Sequence, residues 1–381
     1  MEIEKIIALH RFALHKRKLP YRILLIGHAL FLLFFKRYKS KHVIINGKEG
    51  PKFLFFKALH RFDYDALFSK ISSCCEFEKQ ILEVNLSFGV DFSFFNQILS
   101  KISQYNEIES DSNVDKVYLF LSYLFYTKII KSIQKFEFDI LVVFADMQPV
   151  DNLLVQFYKN KNIPTVTLQH GLFVDYEGTF NISSVSYKNV VSDHFLSWGE
   201  GNKHLINRHN PDCNILVCGN PMIQNVQNKF KNENFFTVVL DWDVFEEENI
   251  KMLDVAKSVA EEMEINFQIR YHPSNNPNKY YVNSNYLIEN KLDYMDSRFI
   301  LGHTSSLIHV AFRLGKTVFK FKSNIASSPI DESCVIESSH DIKILLNKQQ
   351  TKYIQIGETI NIGPIGTKSL NQYKLFFEGL L

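Results

Sequence analysis

The spacing of apolar and polar residues predicts strands alternating with helices over most of the chain. From about residue 43, short apolar runs that are typical of buried strands alternate with longer segments of helical periodicity. This alternation indicates parallel βαβ units. The predicted strands are 53–56, 81–86, 140–144, 165–168, 195–198, 215–217, 236–240, 267–270, 298–301 and 317–321, and the predicted helices are 114–136, 152–158, 249–263 and 305–314.

A polar stretch at 224–234 interrupts the alternation, which then begins again. Because a chain of 381 residues is long for one core, we interpret this interruption as a domain boundary. The sequence predicts two Rossmann-like α/β domains, at 43–225 and 226–381, the second ending in a C-terminal helix. Ligands of open α/β sheets bind beyond the carboxyl ends of the strands, so a cleft between the two domains is the expected site.

The first 42 residues have a different pattern and are predicted to form a separate helical segment. An amphipathic helix is expected over residues 1–18, and Pro20 separates it from an apolar run at 23–35. This run is shorter than the roughly 20 residues that cross a bilayer, and basic residues flank it. Two interpretations stay open: residues 16–41 contact a membrane surface peripherally, or the run is a buried helix with solvated basic ends.

Composition limits the class of protein. Apolar residues make up 46% and charged residues 22%, which is a globular balance, and a net charge of +2 disfavours a nucleic-acid-binding protein. The five cysteines have no metal-ligand spacing, so we expect a reduced protein without a structural zinc site. The expected location is the cytoplasm, or the inner face of the cytoplasmic membrane.

The first candidate cluster is Gln169-His170-Gly171, directly after a predicted strand. A histidine at this position can take a proton from a hydroxyl group, because its usual pKa lies near neutrality. Gly171 would let the backbone turn sharply or approach a ligand. The alternative is a histidine that only caps a turn by hydrogen bonding.

The second cluster is Arg270-Tyr271-His272-Pro273, again at the end of a predicted strand. Arg270 and His272 are candidate phosphate ligands, and Pro273 stiffens the chain after them. The alternative is an ordinary loop in which the arginine stem packs on the core.

The third cluster is Gly302-His303-Thr304-Ser305-Ser306, between a predicted strand and a predicted helix. Hydroxyl groups and free backbone N–H groups meet there at a helix N-terminus, which favours an anion such as a diphosphate. Thr304 is the expected N-cap. The alternative is a plain helix cap without a ligand.

Three further positions follow predicted strands. Glu200 is a second candidate catalytic residue, which would bind an acceptor hydroxyl. Gly219, Asn220 and Pro221 are expected to shape the crossing between the domains. Asp146 is a candidate base or a helix cap.

Taken in order, the segments after the strands resemble GT-B glycosyltransferases. The resemblance is closest to the capsule and teichoic-acid synthesis group, which includes CDP-glycerol glycerophosphotransferases, bacterial polysialyltransferases and capsule Kdo transferases. It extends from about residue 168 to 321, whereas the first 140 residues match only in their α/β rhythm. The segments that carry it are QHG, SDHFLSWGE, VCGNP, RYHP and GHTSSLIHVAFRLGK.

The resemblance implies a GT-B fold and transfer of a sugar or polyol phosphate from a nucleotide-activated donor, CMP- or CDP-linked by expectation, with UDP-sugars as the alternative. His272 and Pro273 match the family's HP motif, which binds the donor phosphate or nucleotide, and Ser305 and Ser306 match its serine pair. His170 matches a candidate base.

The acceptor that the resemblance implies is a bacterial surface polysaccharide, such as capsule or lipopolysaccharide, or a glycolipid. No cofactor and no metal are expected, and arginine, histidine and a helix end would neutralise the departing phosphate. Many GT-B enzymes hold the ribose with an acidic residue on the helix after the serine pair. This chain has His309-Val310-Ala311 there, which departs from that pattern.

Two other functions stay open at this stage. An enzyme resembling UDP-N-acetylglucosamine 2-epimerase would share the fold, although its phosphate-binding turn is usually richer in glycine. A non-catalytic scaffold of a polysaccharide assembly complex would bind nucleotide without turnover.

Overall fold

The computed structural model describes residues 1–14, 17–58, 62–90, 94–173, 175, 182–224, 234–273, 275–288, 292–323, 330, 332–349 and 360–380. Its strands are β1 Lys36–Ile45, β2 Lys48–Lys57, β3 Phe77–Phe88, β4 Ile140–Val143, β5 Thr165–Leu168, β6 His194–Ser197, β7 Asn214–Val217, β8 Phe235–Val239, β9 Asn266–Arg270, β10 Ile300–Gly302, β11 Val318–Phe321 and β12 Val335–Ile336. Its helices are α1 Ile3–Leu14, α2 Leu19–Phe35, α3 Phe62–Cys74, α4 Phe94–Glu107, α5 Asn113–Ile133, α6 Pro149–Lys159, α7 Ile182–Lys188, α8 Glu200–His209, α9 Glu246–Met263, α10 Ser306–Arg313, α11 Ser339–Gln349 and α12 Gly366–Glu378.

The chain divides into two compact units. The first consists of residues 1–173, 178–222 and 367–381, and the second of residues 174–177 and 223–366. The main crossing from the first unit to the second lies after Met222, close to the boundary at 225 that the sequence predicts.

The first unit contains a seven-stranded sheet with the strand order β1-β3-β2-β4-β5-β6-β7. All neighbouring strands are parallel except β1, which runs antiparallel to β3 at the sheet edge. The fully apolar sequence of β4 follows from burial on both faces. Leu141 and Val143 pack with α5 and α6, whereas Ile140 and Val142 pack with α3 and α12 on the opposite face.

The N-terminal segment belongs to the first unit instead of standing apart. The amphipathic helix is confirmed as α1, whose apolar face is buried and packs toward α5 and α6. Pro20 was expected to separate two segments, but it lies in the first turn of α2, where a missing N–H breaks no helical hydrogen bond. No helix among the described residues is both long and apolar enough to cross a membrane.

The C-terminal helix, which was predicted as part of the second domain, packs on the first unit. Tyr373 and Phe377 of α12 are fully buried in the same cluster as Phe53 and Phe55 of β2. The Tyr373 hydroxyl donates to the Gly219 carbonyl oxygen at 3.1 Å, which ties the end of the chain to the end of the first sheet.

The second unit contains a five-stranded sheet with the order β12-β11-β10-β8-β9, and every pair of neighbours is parallel. Phe236 and Val238 of β8 pack under α9 on one face. Val239 packs under Ile308 of α10 on the other face. Both units are therefore doubly wound α/β sheets, as the sequence predicts.

Candidate functional site

The strand order of the second unit creates a topological switch point between β8 and β10. After β8 the chain passes through α9 on one face to β9, whereas after β10 it passes through α10 on the other face to β11. The two connections diverge, which leaves a crevice beyond the carboxyl ends of β8 and β10. Two of the three predicted clusters flank this point.

Asp241, two residues after β8, joins three strand ends. Its Oδ2 accepts the backbone N–H of Thr304 at 2.8 Å, which fixes the loop after β10. Its carbonyl oxygen accepts from Asn275 Nδ2 at 2.9 Å, and Asn275 Oδ1 accepts the N–H of His272 at 2.6 Å. The residues after β8, β9 and β10 therefore form one hydrogen-bonded network, which we call the strand-end network.

His303 is buried beside this network and is not an exposed phosphate ligand. Its side chain is 2% exposed, and its Nε2 is hydrogen-bonded to the Ser323 hydroxyl. Its Nδ1 lies 3.6 Å from Asp241 Oδ2, which is too far for a hydrogen bond, and has no other partner among the described residues. The imidazole therefore lies next to the Asp241 carboxylate and is not presented to a ligand.

The helix N-terminus is built as predicted, but the capping residue differs. Ser305, not Thr304, is the N-cap of α10, and its Oγ accepts the N–H of Leu307 at 3.4 Å. Because α10 begins at Ser306, Thr304 lies one residue before the N-cap, where its N–H donates to Asp241. A Cβ on Gly302 would lie 2.4 Å from Ile308 Cγ2, so only glycine lets α10 approach β10 this closely.

These contacts decide which groups can bind an anion. The Thr304 N–H is already used, whereas no acceptor contacts the N–H groups of Ser305 and Ser306 within the described residues. Both serines are only half-buried. The positive end of α10, two N–H groups and the Ser306 hydroxyl are therefore the groups at this helix N-terminus that are available to an anion.

Of the predicted site residues at the end of β9, only some lie at the strand-end network. His272 is half-buried, and its ring meets the exposed Trp242 ring edge-to-face at 5.8 Å. Pro273 is exposed beside it. The Arg270 guanidinium instead lies 4.5 Å from the centroid of the Tyr294 ring, and no hydrogen bond or ion pair among the described residues links it to the strand-end network.

Asp241, Trp242 and Asp243 were missed as site residues, although acidic residues directly after a buried strand were the available signal. They form an Asp-X-Asp sequence, but both carboxylates have protein partners. Asp243 Oδ1 accepts from Asn275 Nδ2 at 2.6 Å and from the Tyr280 hydroxyl at 2.8 Å, and these bonds lower the pKa of Asp243. Within the described ranges, no group of three His, Cys, Asp or Glu side chains is placed to hold a metal ion.

His309 occupies the helix where an acidic residue was expected from the resemblance. It is buried, and Asn361 Nδ2 lies 3.2 Å from its Nδ1. Burial lowers the pKa of His309 to about 4, so the imidazole is neutral at physiological pH.

In the first unit, His170 follows β5 next to a second topological switch point, between β2 and β4. The connection after β2 forms α3 on one face, and the connection after β4 forms α6 on the other. Rings from both connections surround the imidazole: Tyr64 of α3 lies at 5.5 Å and Phe144 after β4 at 6.2 Å, with Phe173 at 6.0 Å. The histidine is therefore held in an aromatic setting at the strand ends.

Gln169 fixes the loop that carries His170. Its Oε1 accepts the Trp198 N–H at 2.7 Å, and its Nε2 donates to the Gly171 carbonyl oxygen at 2.6 Å and to Asn202 Oδ1. Gly171 has no positive φ, so glycine is not required for a sharp turn. A Cβ at Gly171 would lie in open space. The backbone there is therefore accessible to a ligand, which was the other role expected of this glycine.

Glu200 is not brought to His170 by any described contact. It is the first residue of α8, it is exposed, and it lies 3.4 Å from Lys203 Nζ and 4.0 Å from His204 Nε2 on its own helix. Its proposed role toward an acceptor hydroxyl stays a prediction.

Gly219, Asn220 and Pro221 form the turn directly before the crossing. Gly219 adopts φ +80°, a conformation that favours glycine, and donates to the Ser197 carbonyl oxygen at 3.1 Å. Asn220 Oδ1 accepts the Met222 N–H at 2.9 Å. The turn therefore directs the chain just before it leaves the first unit after Met222.

Asp146 is neither a base nor a helix cap. Its Oδ2 accepts from the N–H groups of Val191 and Ser192 and from the Ser192 hydroxyl, and the carboxylate is buried. Burial raises its pKa, and these hydrogen bonds oppose the rise. The preceding Ala145 adopts φ +113°, a strained conformation for alanine of the kind that often accompanies functional sites.

Comparison with known proteins supports the fold. No known protein family and no curated protein matches the chain. UDP-N-acetylglucosamine 2-epimerase from Rickettsia bellii is a similar solved structure, with a TM-score of 0.50, 10% identity, and coverage of 87% of this chain and 95% of that chain. A glycosyltransferase from Rickettsia africae is also similar, with a TM-score of 0.47, 11% identity, and coverage of 87% of this chain and 99% of that chain. The calicheamicin glycosyltransferase CalG4 has a TM-score of 0.41, 8% identity, and coverage of 87% of this chain and 94% of that chain. The chain has the GT-B fold, with two Rossmann-like units and an N-terminal helical segment.

Proposed function

We propose that this chain is a nucleotide-sugar-dependent glycosyltransferase whose second unit binds the donor. The observation that carries the proposal is the strand-end network at the switch point of the second sheet. One buried residue, Asp241, holds the loop after β10 with its carboxylate and the loop after β9 with its backbone carbonyl oxygen, beside an open helix N-terminus. Such a preorganised crevice suits a phosphorylated ligand.

Each donor group has a residue of matching chemistry. The Ser305 and Ser306 N–H groups and the Ser306 hydroxyl bind the phosphate nearest the sugar, at the positive end of α10. His272 contacts the same phosphate from the β9 side. The exposed Trp242 ring beside it offers a face on which a nucleobase stacks.

His170 of the first unit acts as the general base in this proposal. It takes the proton of an acceptor hydroxyl, the oxygen bonds to the anomeric carbon of the donor sugar, and the nucleotide phosphate leaves with the electron pair of the broken bond. The N–H groups at the start of α10 stabilise the charge of the departing phosphate. The chemistry requires no bound metal, because hydrogen-bond donors and the helix dipole supply the positive potential.

The donor and the acceptor follow from the resemblance of the HP and serine-pair segments. We favour a CMP- or CDP-linked donor and a capsule-type polysaccharide or glycolipid acceptor at the inner face of the cytoplasmic membrane. A UDP-sugar is the alternative donor.

A second candidate is an epimerase that acts on a UDP-sugar. It is favoured by the fold likeness to UDP-N-acetylglucosamine 2-epimerase, which covers 95% of that chain. The two activities use the same nucleotide site but differ in product. Incubation with UDP-N-acetylglucosamine and analysis by NMR separates them, because only the epimerase releases the C2 epimer without any acceptor.

A thermal-shift screen with CMP, CDP, UDP, GDP and ADP tests the donor site. A nucleotide at about 100 times its dissociation constant stabilises the protein by about 2.7 kcal/mol, which is readily detected. The screen uses the wild type, His272→Ala, and His340→Ala, an exposed histidine of the same unit that serves as the matched control.

We expect stabilisation by a cytidine nucleotide in the wild type and in His340→Ala, and its loss in His272→Ala. Stabilisation by UDP alone favours the UDP-sugar alternatives. The absence of a response to every nucleotide contradicts the proposed function. His170→Ala should bind nucleotide normally but fail to turn over the donor, whereas a scaffold would show binding without turnover in the wild type as well.

A further inference from the structure

Helix α2 exposes an unusually apolar face. Ala29 and Leu33 on its inner side are buried, while Leu24 on its outer side is 70% exposed. Phe88, at the end of β3, is also 70% exposed and stacks on Phe35 at 6.0 Å. We call this patch the α2 surface; its members are Leu19, Ile23, Leu24, Phe31, Phe35 and Phe88.

The α2 surface cannot turn inward, because α2 is fastened along its length. Arg22, near the start of the helix, forms an ion pair with Asp115 of α5. Near its end, Lys128 Nζ of α5 donates to the Leu33 carbonyl oxygen. The helix therefore lies flat against the body of the unit with one side packed and the other presented outward.

Positive charge borders the α2 surface at both ends. Arg17 and Lys18 precede the helix, and Lys36 follows it at the start of β1, opposite Phe88 and on the same face of the sheet. Arg17 and Lys18 are exposed, Lys36 is half-buried, and none of the three forms an ion pair within the described residues. No Asp or Glu lies between Glu4 and Glu49, so nothing along this segment neutralises them.

We propose that the α2 surface docks on an anionic lipid bilayer, with α2 lying in the plane of the headgroups. An apolar helix face with a cationic border is the chemistry that such a bilayer recognises, because the side chains enter the acyl boundary while the cations meet lipid phosphates. A second copy of this chain fits less well, since a symmetric pairing would bring like charges together. The inference is independent of the nucleotide site.

Flotation of the full chain with lipid vesicles tests this docking. Vesicles contain phosphatidylcholine alone or an equal mixture with phosphatidylglycerol. The apolar variant is Leu24→Ser/Phe31→Ser, and the matched control is Leu375→Ser, which changes a leucine that is 60% exposed on α12 of the same unit. We expect the wild type and the control to float only with the mixed vesicles, and the apolar variant to stay in solution.

A charge variant provides a second measurement that does not depend on the apolar residues. Arg17→Gln/Lys18→Gln/Lys36→Gln should bind the mixed vesicles roughly tenfold more weakly or worse, because each cation near an anionic surface contributes to binding. The control Lys131→Gln/Lys188→Gln/Lys251→Gln removes the same charge elsewhere and should bind normally. Added salt should weaken wild-type binding by screening.

Three outcomes would overturn the proposal. They are equal flotation with both vesicle types, no flotation of the wild type, and a wild-type dimer in analytical ultracentrifugation that Leu24→Ser/Phe31→Ser converts to monomer. Nucleotide stabilisation should be the same in every variant, so failure of this proposal and failure of the donor site are distinguishable.

Discussion

At the scale of single residues, Gly171 can be tested for a role in turnover that is distinct from any role in stability. Its φ is not positive and a Cβ there would meet no atom within 4 Å, so Gly171→Ala should change the free energy of unfolding by no more than about 0.5 kcal/mol. If a substrate approaches the backbone beside His170, turnover of the donor should nevertheless fall. Unchanged Tm with unchanged turnover would show that no ligand approaches this glycine.

His309 makes stability depend on pH. Burial lowers its pKa from 6.5 to about 4, so below pH 6.5 the unfolded chain takes up a proton that the folded chain refuses. Stability present above pH 6.5 is therefore lost as the pH falls toward 4, by about 2 kcal/mol at pH 5. His10 in the first unit, held between the hydroxyls of Tyr118 and Tyr126, also has a pKa lowered to about 4 by burial and adds a similar loss.

Thermal unfolding at pH 7 and pH 5 measures this effect. His309→Gln removes one of these titrating groups, so the decrease in Tm between these pH values should be smaller than in the wild type. An equal decrease in both proteins would mean that His309 is not held neutral in the folded state.

A residue of the site could be predicted from the sequence only where its position between a strand and a helix defines its role. Ser305 and Ser306 follow a buried strand and precede a helix, and the structure puts them at the helix N-terminus. The burial of His303 and the linking role of Asp241 were not predictable, because both depend on contacts between loops far apart in sequence.

At the scale of elements, the approach of α10 to β10 controls the anion-binding groups. Gly302→Ala would place a Cβ against Ile308 Cγ2, so α10 must move, at a cost of about 1–3 kcal/mol, and nucleotide affinity should fall with it. Ile308→Leu removes the branch at Cβ. The double variant Gly302→Ala/Ile308→Leu should therefore recover part of both losses in thermal shifts; no recovery would contradict the proposed contact.

The two serines at the start of α10 should separate stability from binding. Ser305→Ala removes the N-cap oxygen and should lower the free energy of unfolding by about 1 kcal/mol. Ser306→Ala leaves the cap intact and should weaken nucleotide binding with little change in Tm. Equal stability losses in urea unfolding of the two variants would refute this division of roles.

Elements buried on both faces were predicted best. The apolar runs of β4, β5 and β8 correspond to strands within one residue at either end, because burial on both faces leaves only apolar side chains. The edge strand β1 was missed because its basic residues alternate on an exposed face. The N-cap of α10 was misplaced by one residue because Thr304 and Ser305 are adjacent and both are favoured capping residues, so the sequence does not choose between them.

At the scale of the whole molecule, the repeated α/β alternation predicts two doubly wound units, and each has one. The sequence pattern did not predict which unit the C-terminal helix α12 joins. α12 returns to the first unit because its aromatic residues complete the core above β2, a contact between residues more than 300 positions apart. Sequence pattern indicates which elements form but not which sheet a terminal helix covers.

The central claim is that the strand ends of the second unit bind the donor nucleotide. Hydrogen exchange measured by mass spectrometry, on the full chain with and without excess CMP, CDP or UDP, tests it most directly. We predict that at least one nucleotide protects amides in 240–245, 270–273 and 302–308 and leaves the other described segments of the second unit unchanged. Protection confined to other segments, or no protection with any nucleotide, would contradict the account.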